Sequence, residues 1–158
     1  MANIFSGSEI VQIGIQIEKN GRDFYNVLEK QSTNKKSKEI FRYLAGEEEK
    51  HIKVFEQILS SAENYEPAEA YPGEYATYMK GLASESVFTR AGKGDELAKK
   101  VKSEKEAVEK GIGFEKDSII FYEGIKKVVL GYSIGLVDQL IAQEQLHLKK
   151  LMELRSVI

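Results

Sequence analysis

The second half of this chain repeats the first, and this repeat restricts the fold more than any other feature of the sequence. A Glu-x-x-His motif stands in matching surroundings in residues 44–53 and 140–149, which are 96 positions apart. A second pair of segments, around Glu18 and around Glu115, matches at a separation of 97 positions. The chain is therefore predicted to consist of two similar units, each built from two such segments.

Apolar residues in these segments recur every three or four positions, which is the spacing of one face of an α-helix. The pattern predicts four helices, at about residues 4–31, from about 35 to near Asn64, at about 104–129 and at 134–154. Ser103 and Glu106 have the spacing of a capping box at the start of the third helix. No stretch shows the alternation of a half-buried strand, so the predicted fold is all-α.

The segment from about residue 64 to about residue 102 differs from the rest. It contains both prolines, Pro67 and Pro72, with four glycines, and its only periodicity is in short pieces such as residues 75–82. This segment is predicted to be a long crossover between the second and third helices. Two helices, a crossover and two more helices make a four-helix bundle, and 158 residues suit one domain covering residues 1–158.

Composition excludes several classes of function. The 23 Lys and Arg against 25 Asp and Glu give a net charge of −2, too weak a field to attract nucleic acid or an anionic membrane. Cysteine is absent, which excludes disulfides, thiolate catalysis and thiolate metal sites. No basic side chain precedes Lys19 and no long apolar run occurs, so we expect neither a secretory signal nor a membrane span, and a cytoplasmic location.

The repeat carries a set of potential metal ligands, with one Glu on each of the first and third helices and a Glu-x-x-His on each of the other two. These six residues are Glu18, Glu48, His51, Glu115, Glu144 and His147. The two histidines are the only ones in the chain. Residues three positions apart on a helix lie about 60° apart on one face, so both side chains of each Glu-x-x-His can reach a single ion.

Helical geometry predicts that these side chains face the core. Glu48 lies at the centre of the apolar arc of its helix, and Glu115 and Glu144 are placed similarly. Glu18 is placed less centrally, because the apolar stripe of the first helix is centred nearer Ile17.

Four ionised carboxylates in one core would each cost several kcal/mol unless they were neutralised. Two divalent cations would balance four carboxylates and two neutral imidazoles, so the pattern predicts a dinuclear metal site. In the first motif, Glu47 or Glu49 could be the metal ligand in place of Glu48. The second motif has Gln143 and Gln145 at those positions, which favours Glu48.

Tyr25 and Tyr122 each follow a predicted ligand Glu by seven residues, or two helical turns. Their hydroxyls could hydrogen-bond a ligand on the facing helix. The rings could equally be core aromatics with some other partner for the hydroxyl.

With these six residues, the sequence resembles the ferritin-like di-iron carboxylate family, and within it the rubrerythrin-type branch without a rubredoxin module. The resemblance extends from about Ser8 to Leu154. It implies a ferritin-like four-helix bundle that binds two iron ions, with manganese or zinc as alternatives. It also implies that Glu48 and Glu144 bridge the ions as the carboxylates of the reactive centre. Glu18 with His51, and Glu115 with His147, would then complete the two coordination spheres.

The resemblance implies a reaction of the di-ferrous centre with hydrogen peroxide or dioxygen, as in protection against oxidative stress. Two features depart from the family. Rubrerythrins typically carry a four-cysteine module that supplies electrons, so a chain without cysteine needs an external electron donor. Peroxidase members have a further ligand Glu one turn beyond the third-helix ligand, where this chain has Ser118.

Three functions are open on the sequence alone. The first is a di-iron peroxidase or oxidase, and the second is a ferroxidase or iron-handling protein of ferritin type. Only 11 residues follow His147, fewer than the fifth helix of a ferritin cage requires, which favours the first. The third is a non-enzymatic metal-binding scaffold. We expect a small oxidant and an electron donor as partners, no nucleic acid or membrane, and assembly as a homo-oligomer, specifically a dimer.

Overall fold

Helices form all the regular structure in residues 7–62, 74–129 and 131–158, the parts of the chain that this computed structural model describes. The α-helices are α1 (Gly7–Gln31), α2 (Lys35–Ala62), α3 (Glu74–Glu85), α4 (Lys93–Lys100), α5 (Glu104–Ile125) and α6 (Gly131–Arg155). Two single 3₁₀ turns lie at Val87–Thr89 and Lys126–Val128. The described ranges contain no strand, which confirms the all-α prediction.

The four long helices pack as two hairpins. α1 packs along α2, α5 packs along α6, and contacts of α2 with α6 and of α1 with α5 join the two hairpins. Large apolar side chains from all four helices fill the space between them, among them Phe41, Phe55, Ile125 and Leu140, each no more than 2% exposed. Burying an apolar side chain of this size contributes about 1.5–3 kcal/mol relative to exposing it. The core is therefore shared by the two repeated units.

Most of the predicted helix bounds that fall in the described residues are confirmed. α1 ends at Gln31, α2 begins at Lys35 and α5 begins at Glu104. Ser103 caps α5, because its hydroxyl accepts a hydrogen bond from the Glu106 N–H at 3.1 Å. The predicted start near residue 4 and the predicted end near Asn64 lie outside the described residues, as does the crossover segment with both prolines.

Two predicted bounds are wrong, both at the junction between α5 and α6. The pattern predicts a helix to residue 129, but α5 ends at Ile125 and a 3₁₀ turn follows. Val128 and Val129 beyond this end are buried, and these apolar residues extended the periodic pattern past the helix. α6 begins at Gly131 rather than at 134, because the first N–H groups of a helix need no partner inside it and a glycine is tolerated there.

The described part of the crossover contains two α-helices, of which α3 packs on α5 and α4 packs on α1. Buried Asn20 holds the second contact. Its side-chain amide donates to the carbonyl oxygens of Phe88 at 2.5 Å and Arg90 at 2.6 Å and accepts from the Gly94 N–H at 3.2 Å. A Cβ at Gly94 would lie 1.9 Å from the backbone oxygen of Asn20, so only glycine allows α4 this close to α1.

None of the described helices combines the length and the apolar composition needed to cross a membrane.

We expect Asn20→Ala to lower the free energy of unfolding by at least about 2 kcal/mol, because it leaves backbone groups of the crossover without partners in the interior. Urea unfolding followed by circular dichroism measures this change. Asn26→Ala, on the same helix at a half-buried position, is the control and should stay within about 0.5 kcal/mol of the parent. Equal effects of the two substitutions would contradict the role assigned to Asn20.

Glu104 joins the start of α5 to the turn between α1 and α2. Its Oε1 atom accepts hydrogen bonds from the N–H groups of Thr33 and Asn34, each at 3.1 Å, and from the Ser32 hydroxyl. Burial alone would raise the pKa of Glu104, but the bonds from Ser32 and these N–H groups outweigh burial and lower it. A lowered pKa in the folded state stabilises the protein above the unfolded pKa of about 4.3, and this contribution is lost as the pH falls through the folded pKa.

Glu104→Gln should therefore lower the free energy of unfolding by about 1 kcal/mol at neutral pH. The difference from the parent should shrink as the pH falls below about 4, because the Glu104 carboxylate of the parent then becomes protonated and, like glutamine, carries no charge. Urea unfolding over a series of pH values tests both statements, with Glu109→Gln, at an exposed position on α5, as the control. A difference that does not change with pH would show that the charge of Glu104 is not involved.

Candidate metal centre

The bundle brings all six predicted ligands into its interior. Glu18 lies on α1, Glu48 and His51 on α2, Glu115 on α5, and Glu144 and His147 on α6, each at most 1% exposed. Glu18 is as deeply buried as the others, although it lies off the apolar stripe of its helix. α1 packs on α2 and also on α5, and His51 and Tyr122 of these helices contact the Glu18 carboxyl group, so the buried surface of α1 extends further round the helix than the stripe indicates.

One half of the cluster is centred on His51. Its Nδ1 atom lies 2.7 Å from Oε1 of Glu144, and 3.4 Å from an oxygen of both Glu18 and Glu48. These four residues offer ligand atoms that all lie within 4.8 Å of one another. They place three carboxylate oxygens and one imidazole nitrogen, all possible metal ligands, around one point.

The other half is centred on His147 in the same way. Its Nδ1 atom lies 3.1 Å from Oε2 of Glu144, 3.5 Å from Oε1 of Glu48 and 3.7 Å from Oε2 of Glu115. The two imidazole rings are nearly parallel, at 11°, with centroids 5.3 Å apart. Glu48 and Glu144 thus each present one oxygen to each histidine, whereas Glu18 and Glu115 each approach one histidine only.

The neighbours of Glu48 take other partners. Glu47 pairs with Lys50 at 2.7 Å, and Glu49 pairs with Arg22 at 2.9 Å at the surface. A Glu47 oxygen also lies within 4.8 Å of a nitrogen of both histidines, on the outer side of the cluster. Of the three consecutive glutamates, Glu48 is the fully buried one, in the register that the repeat favours.

Both tyrosines hydrogen-bond the carboxyl group of a ligand candidate on the facing helix, which decides between the two alternatives left open by the sequence. The Tyr25 hydroxyl donates to Oε1 of Glu115 and the Tyr122 hydroxyl donates to Oε1 of Glu18, each at 2.5 Å. Burial raises the pKa of both phenols well above the ordinary value, so each keeps its proton and acts as a donor. Each bond fixes one carboxylate oxygen and leaves the other facing the histidines.

Sequence reasoning missed one polar partner of the cluster, Gln143. The His51 Nε2–H group donates to Oε1 of Gln143 at 2.6 Å, which directs Nδ1 of that ring toward the carboxylates. In the sequence, Gln143 served only to favour Glu48 over Glu47 as the ligand candidate of the first motif. Its position beside a motif residue, with Glu47 at the matching place in the other half, was the signal for this contact.

Ser118 offers no ligand to the cluster in this structure. The residue is buried, and its hydroxyl donates to the carbonyl oxygen of Phe114 on the preceding turn at 2.9 Å. Ser118 therefore does not replace the additional ligand glutamate that peroxidase members have at this position.

Burial affects the four carboxyl groups unequally. Burial and the neighbouring carboxylates raise the pKa of Glu18 and of Glu115 well above the ordinary value. Burial also opposes ionisation of Glu48 and Glu144, but their close contacts within the cluster, including those with the two imidazoles, outweigh burial and lower both pKa values. The two residues that approach both histidines are therefore the two that ionise most readily.

Burial would lower the pKa of each histidine, but the surrounding carboxylates outweigh it and raise both values far above the ordinary one. Protons therefore compete with cations for the atoms of this cluster, and cations that bind there have to displace protons.

Unpartnered polar atoms test whether the cluster suits metal ions. In the described residues, buried atoms without a hydrogen-bond partner include both oxygens of Glu48, one oxygen each of Glu18, Glu115 and Glu144, and Nδ1 of His51. Such atoms are costly in a protein interior. Carboxylate and imidazole donors of this kind bind iron, manganese and zinc, so the donor set fits two such ions.

Comparisons with known proteins agree with this geometry. The family model described as Rubrerythrin matches residues 9–155 of this chain. A solved structure from Thermotoga maritima, described as a candidate ferritin-like diiron-carboxylate protein, superposes with a TM-score of 0.72 at 26% sequence identity. The alignment covers 96% of this chain and 95% of that one. No curated protein matches the sequence. Since the family model spans nearly the whole bundle and all six buried ligand candidates, the chain belongs to the rubrerythrin family, and its fold is the ferritin-like four-helix bundle.

Proposed function

We propose that this protein is a di-iron carboxylate oxidoreductase, whose di-ferrous centre reacts with hydrogen peroxide or dioxygen. One observation carries the proposal. Glu48 and Glu144 each present one oxygen to each of the two histidines, in a buried cluster with several unpartnered donor atoms. A protein core retains such a cluster at a cost, and binding two cations removes that cost.

In this proposal Glu48 and Glu144 would hold both ions. Glu18 and His51 would hold only the first ion, and Glu115 and His147 only the second. The supporting distances are those from each histidine to its own terminal carboxylate, 3.4 Å in the first half and 3.7 Å in the second.

When bound, two iron(II) ions supply two electrons, enough to reduce hydrogen peroxide to water or dioxygen to hydrogen peroxide. The residues of the chain hold the centre and exclude water. Tyr25 and Tyr122 keep the terminal carboxylates in place through short hydrogen bonds, and Gln143 orients His51. Since the chain has no cysteine, the electrons that restore the iron(II) state come from an external donor.

Glu48→Gln and Glu144→Gln should each prevent binding of two metal ions per chain, because each removes a negatively charged bridge. Helix content should remain that of the parent, since glutamine fits the same space. Elemental analysis after anaerobic loading with iron(II), together with circular dichroism, measures both properties. Glu49→Gln alters the adjacent surface residue and should bind as many ions as the parent. Two ions per chain in both bridge variants would refute the assigned roles.

The reaction is tested by stopped-flow mixing of the anaerobic di-ferrous protein with hydrogen peroxide or dioxygen. Iron(III) absorbance should rise faster than with free iron(II) in the same buffer, and one peroxide should oxidise two iron(II) ions. A faster reaction with peroxide indicates a peroxidase. A faster reaction with dioxygen indicates an oxidase if iron(III) stays bound, and a ferroxidase if it is released. If neither oxidant reacts faster than with free iron(II), the protein is not an oxidoreductase of this kind.

A further inference from the structure

One end of the bundle is rich in lysine. Residues 30–38 and 99–105, where α1 and α4 end and α2 and α5 begin, contain eight lysines and one acidic residue, a net charge of +7. The rest of the chain has 15 Lys and Arg against 24 Asp and Glu, a net charge of −9. We call residues 30–38 and 99–105 the lysine end. The small overall charge thus conceals a strongly uneven distribution.

The two segments of the lysine end lie side by side, because Glu104 of one accepts hydrogen bonds from the N–H groups of Thr33 and Asn34 of the other. All eight lysines are exposed. Three of them pair with an acidic residue of the same helix. The five that form no ion pair within the described residues are Lys30, Lys36, Lys38, Lys102 and Lys105. Five such charges at one end attract negatively charged partners.

A groove of about 320 Å³ lies between the two segments. Leu28, Phe41, Val101 and Ala107 form its apolar lining, and the remaining lining is polar and includes Lys102. An apolar area next to exposed charged residues has the composition of a protein–protein interface. Weak electron-transfer complexes in particular use small interfaces.

Buried aromatic residues connect this groove to the candidate metal centre. The Phe41 ring stacks on the Tyr25 ring, with centroids 6.2 Å apart and planes at 17°. The Tyr25 hydroxyl in turn donates to Oε1 of Glu115 at 2.5 Å. Electron tunnelling weakens steeply with distance and is more efficient through packed groups than across gaps. The contacts from Phe41 to Glu115 therefore give electrons a packed path from the groove to the centre.

The proposed function requires a partner that supplies electrons, because the chain has no cysteine for an iron–sulfur site of its own. An acidic protein is attracted to the lysine end and can cover it alone. A nucleic acid is a long polyanion and would also approach the rest of the chain, whose net charge of −9 repels it. The charge distribution therefore favours a compact acidic protein.

We propose that the lysine end is the docking surface for an acidic one-electron carrier protein that reduces the metal centre. This inference rests on the proposed function and deepens it, because it identifies the class of the electron donor and the place where it binds. Each reduced carrier loses one electron, so two carriers in succession return two iron(III) ions to iron(II).

Charge reversal at two lysines tests the surface without altering the lining of the groove. The variant Lys36→Glu/Lys105→Glu changes the first turns of α2 and α5, where an acidic residue is compatible with the helix dipole. The control Lys53→Glu/Lys116→Glu makes the same change in charge at exposed positions further along the same two helices. Only the position of the reversed charges differs between the two variants.

The first measurement is anaerobic stopped-flow mixing of the di-ferric full-length proteins with two reduced acidic carriers, a plant-type ferredoxin and a flavodoxin. At low ionic strength we expect the lysine-end variant to be reduced about tenfold more slowly than the parent, and the control within about twofold of the parent. The difference should shrink as salt is added, because salt screens the attraction. Sodium dithionite, a small reductant, should reduce all three proteins at similar rates.

The second measurement maps carrier binding by NMR chemical shifts on the isotope-labelled full-length protein loaded with zinc, so that no electron transfer is involved. Both oxidised carriers should shift amide signals of residues 30–38 and 99–105 in the parent and in the control. The lysine-end variant should show much smaller shifts at the same carrier concentration.

Absence of shifts in the lysine end of the parent, or equal reduction rates of the two variants, overturns the inference and leaves the proposed function intact. Tighter binding of a short DNA duplex than of either carrier at the same ionic strength also overturns it, since the lysine end is then a nucleic-acid site. A parent protein whose iron centre dithionite cannot reduce instead refutes the proposed function, and the electron transfer with it, whatever the chemical shifts show.

Discussion

Four carboxyl groups and two imidazoles share one buried space, and the rest of the structure depends on how their charges are balanced. An isolated ion in a protein interior costs several kcal/mol even after the surroundings relax. The cluster meets this constraint by mutual pairing, since Glu48 and Glu144 contact both histidines and each of the other two carboxyl groups accepts a hydrogen bond from a tyrosine hydroxyl. The same arrangement leaves donor atoms available for cations.

The tyrosines also join the two repeated units. Tyr25 on α1 bonds Glu115 on α5, and Tyr122 on α5 bonds Glu18 on α1, so each hairpin positions a carboxylate of the other. The outer side of the cluster is less symmetric. Gln143 accepts a hydrogen bond from His51, whereas its counterpart Glu47 pairs with Lys50. The two halves therefore hold their histidines differently, and two bound ions would not have identical surroundings.

The crossover packs on the bundle although none of the six ligand candidates lies on it. Asn20 and Gly94 hold α4 against α1. Residues two positions apart point about 200° apart on a helix, so this contact covers the side of α1 opposite Glu18. The side that carries Glu18 is covered by α2 and α5, whose His51 and Tyr122 contact the Glu18 carboxyl group.

The sequence by itself determined the all-α fold, the two repeated hairpins and the residues that meet inside them, because helical periodicity and a matched repeat are local properties of the chain. It indicated Glu18 less clearly than the rest, left the roles of Tyr25 and Tyr122 open, and misplaced the end of α5. Only the tertiary structure decided these points, along with the contact of Gln143. Each depends on which surface a neighbouring helix covers, and residues far apart in the chain set that surface.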